Sequence, residues 1–482
     1  MMNFKQYPNA TKIIIPEKVK LSFNNFSQLF YNMLNLKQIE ISHNNATNMY
    51  CTYCNCYNLT SSPACGNNVT NMFYTYANCY NLTGNPVCGT NVTDMRGAYA
   101  NCYNLTGSPV CGENVKFLGQ EDSTGDRLLG TYYNCRNITG SPVCGENVIG
   151  MGCTYYYCSN LTGSPVCGKN VVCMSFTYQH CHNLTGSPVC GEKVTNMCST
   201  YDNCHNLTGF PICGDNVTDM TWTYFHCYNL TGSPACGDNV TYMAWTYSHC
   251  FNLTGSPVCG KNVINMSFAY FNCYNLTGSP VCGEKVTNMH NTYNGCSNLT
   301  GSPACGDNVT NMCGAYANCY NLTGSPICGD NVTDMTWTYS HCYNLTGSPV
   351  CGKNVTDMSY AYHNCVNLTG SPICGNNVTQ MSYTYQGCVN LYSNAYFYSS
   401  NISTMKNCFA GWPYTKYLNL YLPANSTSLT TALANNSRSM VGTEITWTDD
   451  TATNGCYYNT QYNIYIYPVE DVAAARTANG DD

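Results

Sequence analysis

Cysteine is the residue type in this sequence with the most chemistry to offer. The chain has 482 residues, of which 37 are cysteines. Most of them fall in two series. One runs through Cys56, Cys79, Cys102 and Cys135 and then every 23 residues from Cys158 to Cys388; the other follows nine residues behind, from Cys65 to Cys374. Such thiols could pair as disulfides, ligate a metal or act as small core hydrophobes. Equivalent cysteines of neighbouring copies would lie about 5 Å apart with parallel Cβ vectors, which favours stacked buried thiols over bridges. CTYCNC, with Cys51, Cys54 and Cys56, has the spacing of half a zinc site but no second pair to complete it. His226, His249 and His341 recur at one place in the copies, and histidines bonded into a ladder explain that more simply than a metal pair. Asn-Leu/Ile-Thr persists from Asn58 to Asn367; it reads as a glycan acceptor or as a ladder of turn asparagines, and the ladder also explains why everything around it persists.

A further series is aromatic. With the first cysteine of a copy as column 1 (Cys227, for example), column 19 holds Phe176, Trp222, Trp245, Phe268, Trp337, Tyr360 and Tyr383. Rings in one column would form either a packing ladder between copies or an exposed stripe for sugar faces or a protein partner. These seven are the candidate binding residues.

The elements that place these columns follow from the repeat. Val240, Met243, Tyr247 and Cys250 have the i, i+3, i+7, i+10 spacing of one face of a short helix, expected to point inward. Thr241 or the Asn/Asp of column 16 would cap that helix, and Gly232 would end it in a left-handed turn. Leu230 to Cys236 would return as an extended run. The proline of column 8 restricts its parallel ladder to two or three residues. So small a unit buries its apolar face only by stacking on its neighbours. The expected fold is therefore an α/β repeat solenoid, a rod of 23-residue coils roughly 70–80 Å long at about 4.8 Å per coil. Residues 1–50 read as degenerate first coils that cap it, and 51–408 as the solenoid, with an insertion at 119–130. Residues 409–468 read as a β-rich closing unit and 469–482 as an acidic tail.

With charged residues at 9%, net charge -7 and no Lys/Arg cluster, nucleic acid is not an expected partner. No apolar run suits a signal-peptide core or the roughly 18 residues of a membrane span, so a soluble chain without membrane insertion is expected. The sequence has no nucleophile elbow, no phosphate-cradling glycine loop and no carboxylate pair outside variable turns. The expectation is no enzyme, no cofactor and no metal.

The phrase aromatic-x-x-Cys-x-x-Leu-Thr followed by Val-Thr-x-Met, at a period of 23 over roughly residues 10–410, resembles the BspA-type leucine-rich repeats of bacterial surface proteins. It departs from them at the Ser-Pro of columns 7 and 8 and at the second cysteine. The resemblance implies a non-enzymatic binding or adhesion scaffold, of a kind found on bacterial surfaces, in some protists and in phage tail or fibre proteins. The expected partner is a cell-surface glycan or protein, with a homo-oligomer or assembly into a larger particle as a further possibility. Three placements compete: a phage virion component (tail fibre or host-recognition subunit), a bacterial cell-surface adhesin, and a structural fibril subunit. The lack of a visible export signal favours the virion.

Overall fold

The fold is that of a computed structural model, which describes residues 4–16, 18–19, 21–41, 45–63, 65–120, 130–434 and 439–481. The chain divides into two compact units, Met1–Val240 with His249–Phe251, and Thr241–Ser248 with Asn252–Asp482.

In the first unit, β1 (Lys12–Ile15) pairs in parallel with β2 (Gln38–Ile41). Column 16 then carries single parallel bridges from Asn25 through Asn48, Asn71 and Asp94 to Phe117, each 23 residues from the last. Phe117 opens β3 (Phe117–Gly119), which pairs with β4 (Gly150–Met151). Register thus survives the insertion, of which residues 121–129 lie outside the described residues. The second unit continues this pattern from Tyr242 to Thr404 and ends in a six-stranded sheet. Its strands are β5 (Ile373–Cys374), β6 (Asn394–Phe397), β7 (Leu418–Pro423), β8 (Thr448–Asp450), β9 (Cys456–Asn459) and β10 (Ile464–Val469), in the order β5-β6-β7-β10-β9-β8. Helix α1 (Thr427–Ala432) follows β7. Helix α2 (Val472–Ala478), capped by Asp471, precedes Asp481, whose carboxylate accepts from Asn394 and the Tyr396 hydroxyl at 2.7 and 2.6 Å.

The inward face is as expected: Val240, Met243, Tyr247, Cys250 and Leu230 are all fully buried and Asp238 is exposed. The secondary structure is not. Among the described residues α1 and α2, six and seven residues long, are the only α-helices, and the repeats contain none. Columns 17 to 23 form linked tight turns whose N–H groups alternate in direction. Thr75, Ala77 and Cys79 donate back to the carbonyls of Met72, Tyr74 and Tyr76, at 3.0, 3.2 and 3.0 Å. Met72, Tyr74, Tyr76 and Asn78 instead donate to the next coil, at Asp94, Arg96, Ala98 and Ala100, at 2.7–3.0 Å. The alternation requires left-handed backbone at columns 19 and 23, as at Tyr74 (φ 53°) and Asn78 (φ 62°). A right-handed helix cannot pass through such residues, so the expected short helix is replaced by a stack of turns that hydrogen-bonds coil to coil.

The sheet also sits elsewhere than expected. Between most coils single column-16 bridges take the place of a ladder along Leu230–Cys236 and its equivalents; the extended run pairs at Ser61 with Thr83 and forms the expected narrow parallel ladder at the last coils, where Ile373–Cys374 lie beside Tyr396–Phe397. The extended run is held from inside its own coil. The Tyr99 hydroxyl donates to the Val87 carbonyl and accepts from the Val87 N–H, both at 2.8 Å, so the buried phenol replaces a neighbouring strand and the proline before Val87 costs no ladder bond. These rings stack through each unit, for example Tyr76, Tyr99 and Tyr132 at 5.2 and 5.7 Å.

None of the 37 cysteines is joined in a disulfide. Column-1 thiols are buried and donate to a carbonyl of the preceding coil, as Cys102 does to Tyr76 and Cys227 to Tyr201 at 3.2 and 3.1 Å. Cysteine suits this place because it is small and apolar and carries one weak donor. Column-10 sulfurs accept in the other direction, as Cys351 does from the Gly375 N–H at 3.2 Å. The glycine of column 11 is required by close approach: a Cβ on Gly89 would stand 2.8 Å from the Gly66 carbonyl oxygen and 3.1 Å from the Cys65 sulfur.

Candidate recognition surface

Each of the seven candidate aromatic residues has a left-handed backbone: Phe176, Trp222, Trp245, Phe268, Trp337, Tyr360 and Tyr383 all have φ between 56° and 62°. For a residue with a Cβ this conformation costs roughly 1–2 kcal/mol, and bulky side chains adopt it seldom. Other copies fill the column with residues better suited to it, Asn291 and Gly314 among them. The coil-to-coil bonds hold the geometry; Trp337 donates to Ser359 at 3.0 Å and Tyr360 to Ser382 at 2.9 Å.

The structure brings several of these rings into stacks. Trp245 lies on Phe268 at 3.8 Å and 6°. Trp337, Tyr360 and Tyr383 form a three-ring pile, at 3.9 Å and 6° and then 4.4 Å and 7°. Trp222 meets Phe225 edge-on at 4.6 Å. Phe176 stands between Cys153 and Ser199 in its column. Six of the seven are half-buried and Trp337 is exposed, at 40%. Stacked rings cover one another's faces, so these piles turn mainly their edges to solvent. The ends are the exceptions. On Tyr383 the Lys406 ammonium sits 6.0 Å from the ring centroid, and on Phe268 the His290 ring stands edge-on at 4.9 Å.

Beside this strip, columns 23 and 2 place histidines among asparagines. His182 Nδ1 is 2.9 Å from the Asn203 carbonyl oxygen, while His205 Nε2 and His226 Nδ1 lie 3.3 and 3.1 Å from Asn203 Oδ1. His226 and His249 meet at 4.6 Å. Burial, and then the neighbouring His249 and His205, push His226 down to about 4. A ladder of imidazoles and amides accounts for the recurring histidines, and no group of three or more His, Cys, Asp or Glu able to hold a metal occurs among the described residues.

The asparagine columns are tied differently. Column-13 amides donate to the preceding coil, as Asn308 does to Glu284 and Asn331 to Asp307, both at 2.8 Å. Column-3 amides reach a backbone carbonyl at Asn58 and Asn390 (2.8 and 2.9 Å), and others reach each other, as Asn81 does to Asn58 at 3.2 Å.

The thiols are poor nucleophiles. Burial pushes Cys351 up to about 11 and Cys227 well above the usual thiol range. Cys51 alone is lowered, by a hydrogen bond with Cys54, and both are buried against Ala77 and Ala100.

Sequence reasoning identified the aromatic column but missed its left-handed backbone and the cation on Tyr383. The signal for the first was present: column 23 admits Asn, His and Gly, and column 19 admits Gly, Asn and Ser, residues that share a tolerance of positive φ.

No family model matches the chain, and no curated protein matches it. Among solved structures it is similar to a leucine-rich repeat protein from Bacteroides ovatus, at 12% identity and a TM-score of 0.46, over 91% of this chain and 92% of that one. A leucine rich cell surface protein from Faecalibacterium prausnitzii matches at 14% identity and TM-score 0.32, over 59% and 86%. An internalin from Listeria monocytogenes matches at 13% and 0.23, over 65% and 81%.

Proposed function

We propose that this protein is a non-enzymatic recognition or adhesion scaffold of 23-residue coils, closed at its ends by residues 1–50 and 409–468, and that column 19 is its working surface. One observation carries the reading: large rings occupy a backbone position where glycine or asparagine would cost less. Stacking is worth about 0.5–1.5 kcal/mol per pair, close to the roughly 1–2 kcal/mol lost to the left-handed backbone. Inside a pile such as Trp337–Tyr360–Tyr383 ring burial added to stacking can exceed that cost, but packing does not call for a ring as large and as exposed as Trp337, at 40%, whereas a partner that reads the strip does. A partner that spans several coils of one unit gains at each contact while losing its own freedom mainly once. The partner class is a cell-surface glycan or protein. As placement we favour a virion component, a tail fibre or host-recognition subunit, supported by the burial of the column-1 thiols, Cys227 among them, as part of the core, a use of cysteine that suits a chain assembled in a reducing compartment.

The test is attachment to candidate host cells and to a glycan array by the purified chain and its Trp222→Asn/Trp245→Asn variant. The variant is expected to lose more than ~10-fold in affinity, about 1.4 kcal/mol. Unchanged attachment per folded molecule would remove column 19 as the recognition surface.

A further inference from the structure

The pile Trp337–Tyr360–Tyr383 has two ends, and they differ. At one, Lys406 Nζ lies 6.0 Å from the Tyr383 centroid, so the stack already receives a cation on a terminal face. At the other, the column-19 residue of the preceding coil is Gly314, whose φ of 63° matches the aromatic positions but which has no side chain to cover the next ring. A Cβ there would run into the Asn291 amide, with the Asn294 amide at 3.7 Å, so the nearest neighbours above Gly314 are polar side chains that Gly314→Tyr would have to push aside. Among the described residues one ring, Tyr360, stacks flat on Trp337, so no parallel ring covers its outer face, and the residue is 40% exposed. Among the described residues no cation lies over it. The nearby charge is negative. Asp334 stands three residues before Trp337 and accepts from the Thr336 N–H at 2.8 Å. Burial, followed by the charges of Asp334 and Asp357, pushes the Cys313 thiol, which adjoins Gly314, up to about 11. His290 also senses Asp334.

An indole face with no ring stacked flat on it and a carboxylate, Asp334, three residues away in the chain attracts a cation, and indole is the best of the aromatic faces for one. A guanidinium suits it better than an ammonium, because it is flat, stacks on the ring and still presents N–H groups sideways to a carboxylate. We propose that the outer face of Trp337, above Gly314 and beside Asp334, is a docking site for an arginine side chain of a protein partner. This rests on column 19 being the recognition surface and names the chemistry that one part of it reads.

The experiment uses the full chain with its five tryptophans labelled with 15N at the indole, the Trp337 resonance being assigned from Trp337→Phe. Nα-acetyl-arginine methylamide is titrated in, with the uncharged citrulline analogue and methyl β-glucoside as parallel arms. The expected result is a saturable shift of the Trp337 resonance with the arginine probe, at least about 3-fold weaker with citrulline and weakened by added salt. Asp334→Asn should weaken the arginine response, and Gly314→Tyr, which extends the pile over the open face, should abolish it. Should Gly314→Tyr not fold, as judged from the other four indoles, Gly314→Asn replaces it, since Asn291 holds the same column at φ 51°. No shift with arginine, equal shifts with citrulline, a shift that persists with the face closed, or a response to the glucoside alone would each overturn the site. If cell attachment is lost in the Trp222/Trp245 variant while Trp337 ignores arginine, the recognition surface stands and the arginine site falls. Attachment unchanged in that variant would instead sink the surface.

Discussion

Replacing Tyr360 by Asn tests what the ring column contributes to the fold. Tyr360 lies between Trp337 at 3.9 Å and Tyr383 at 4.4 Å, both nearly parallel to it. Two stacks at roughly 1 kcal/mol each are lost, about 2 kcal/mol together. The half-buried side chain also returns on the order of 100 Å² of covered area to water, about 2.5 kcal/mol at 25 cal/mol per Å². Against this, asparagine is more at ease than tyrosine at φ 59°, which recovers roughly 1.5 kcal/mol. The expected net loss is about 3 kcal/mol. Because solenoids can unfold in parts, the assay pairs a urea transition with hydrogen exchange at Trp337 and Tyr360, whose N–H groups bond to Ser359 and Ser382. Exchange there should speed up by about two orders of magnitude, 1.4 kcal/mol being tenfold, while the Tyr99 N–H in the other unit is unaffected. A loss below ~1 kcal/mol would refute the ledger and mean that the stack contributes no net cohesion.

Other outcomes are equally open to measurement. Tyr99→Phe keeps the ring between Tyr76 and Tyr132 but strands the N–H and carbonyl of Val87; a loss of about 2 kcal/mol in chemical denaturation is expected, and a neutral effect would mean that water replaces the hydroxyl. Alkylation under denaturing, non-reducing conditions should label most of the 37 cysteines, whereas one disulfide-linked peptide per copy would contradict the buried-thiol arrangement. His226 is depressed to about 4 from 6.5, so between those values the unfolded chain binds more protons. Its contribution is complete above pH 6.5 and is lost as pH falls towards 4, on the order of 1 kcal/mol for a partly exposed group. In calorimetry, His226→Asn should flatten that stretch of the stability–pH curve, and an unaltered curve would show that the shift lies elsewhere.

Much of the architecture was legible in the amino-acid order. The 23-residue spacing, the inward Val, Met, Tyr and Cys columns and the exposed turn at Asp238 follow from composition column by column, because a unit this small can bury apolar residues only against its copies. Side-chain spacing, however, reports which residues face inward and not how the backbone turns between them. Columns 14, 17, 21 and 1 fit a helical face, yet a chain of tight turns with left-handed residues at columns 19 and 23 presents the same four side chains inward. What selects the turns is the set of bonds from Met72, Tyr74, Tyr76 and Asn78 to the next coil, which exist only once two coils are stacked. The Tyr99 hydroxyl likewise finds Val87 across the coil interior, a pairing that no local propensity encodes. The same holds for the candidate surface. The sequence by itself determined which residues share column 19, whereas the stacking of coils decided which ring faces are covered and left Trp337 open above Gly314.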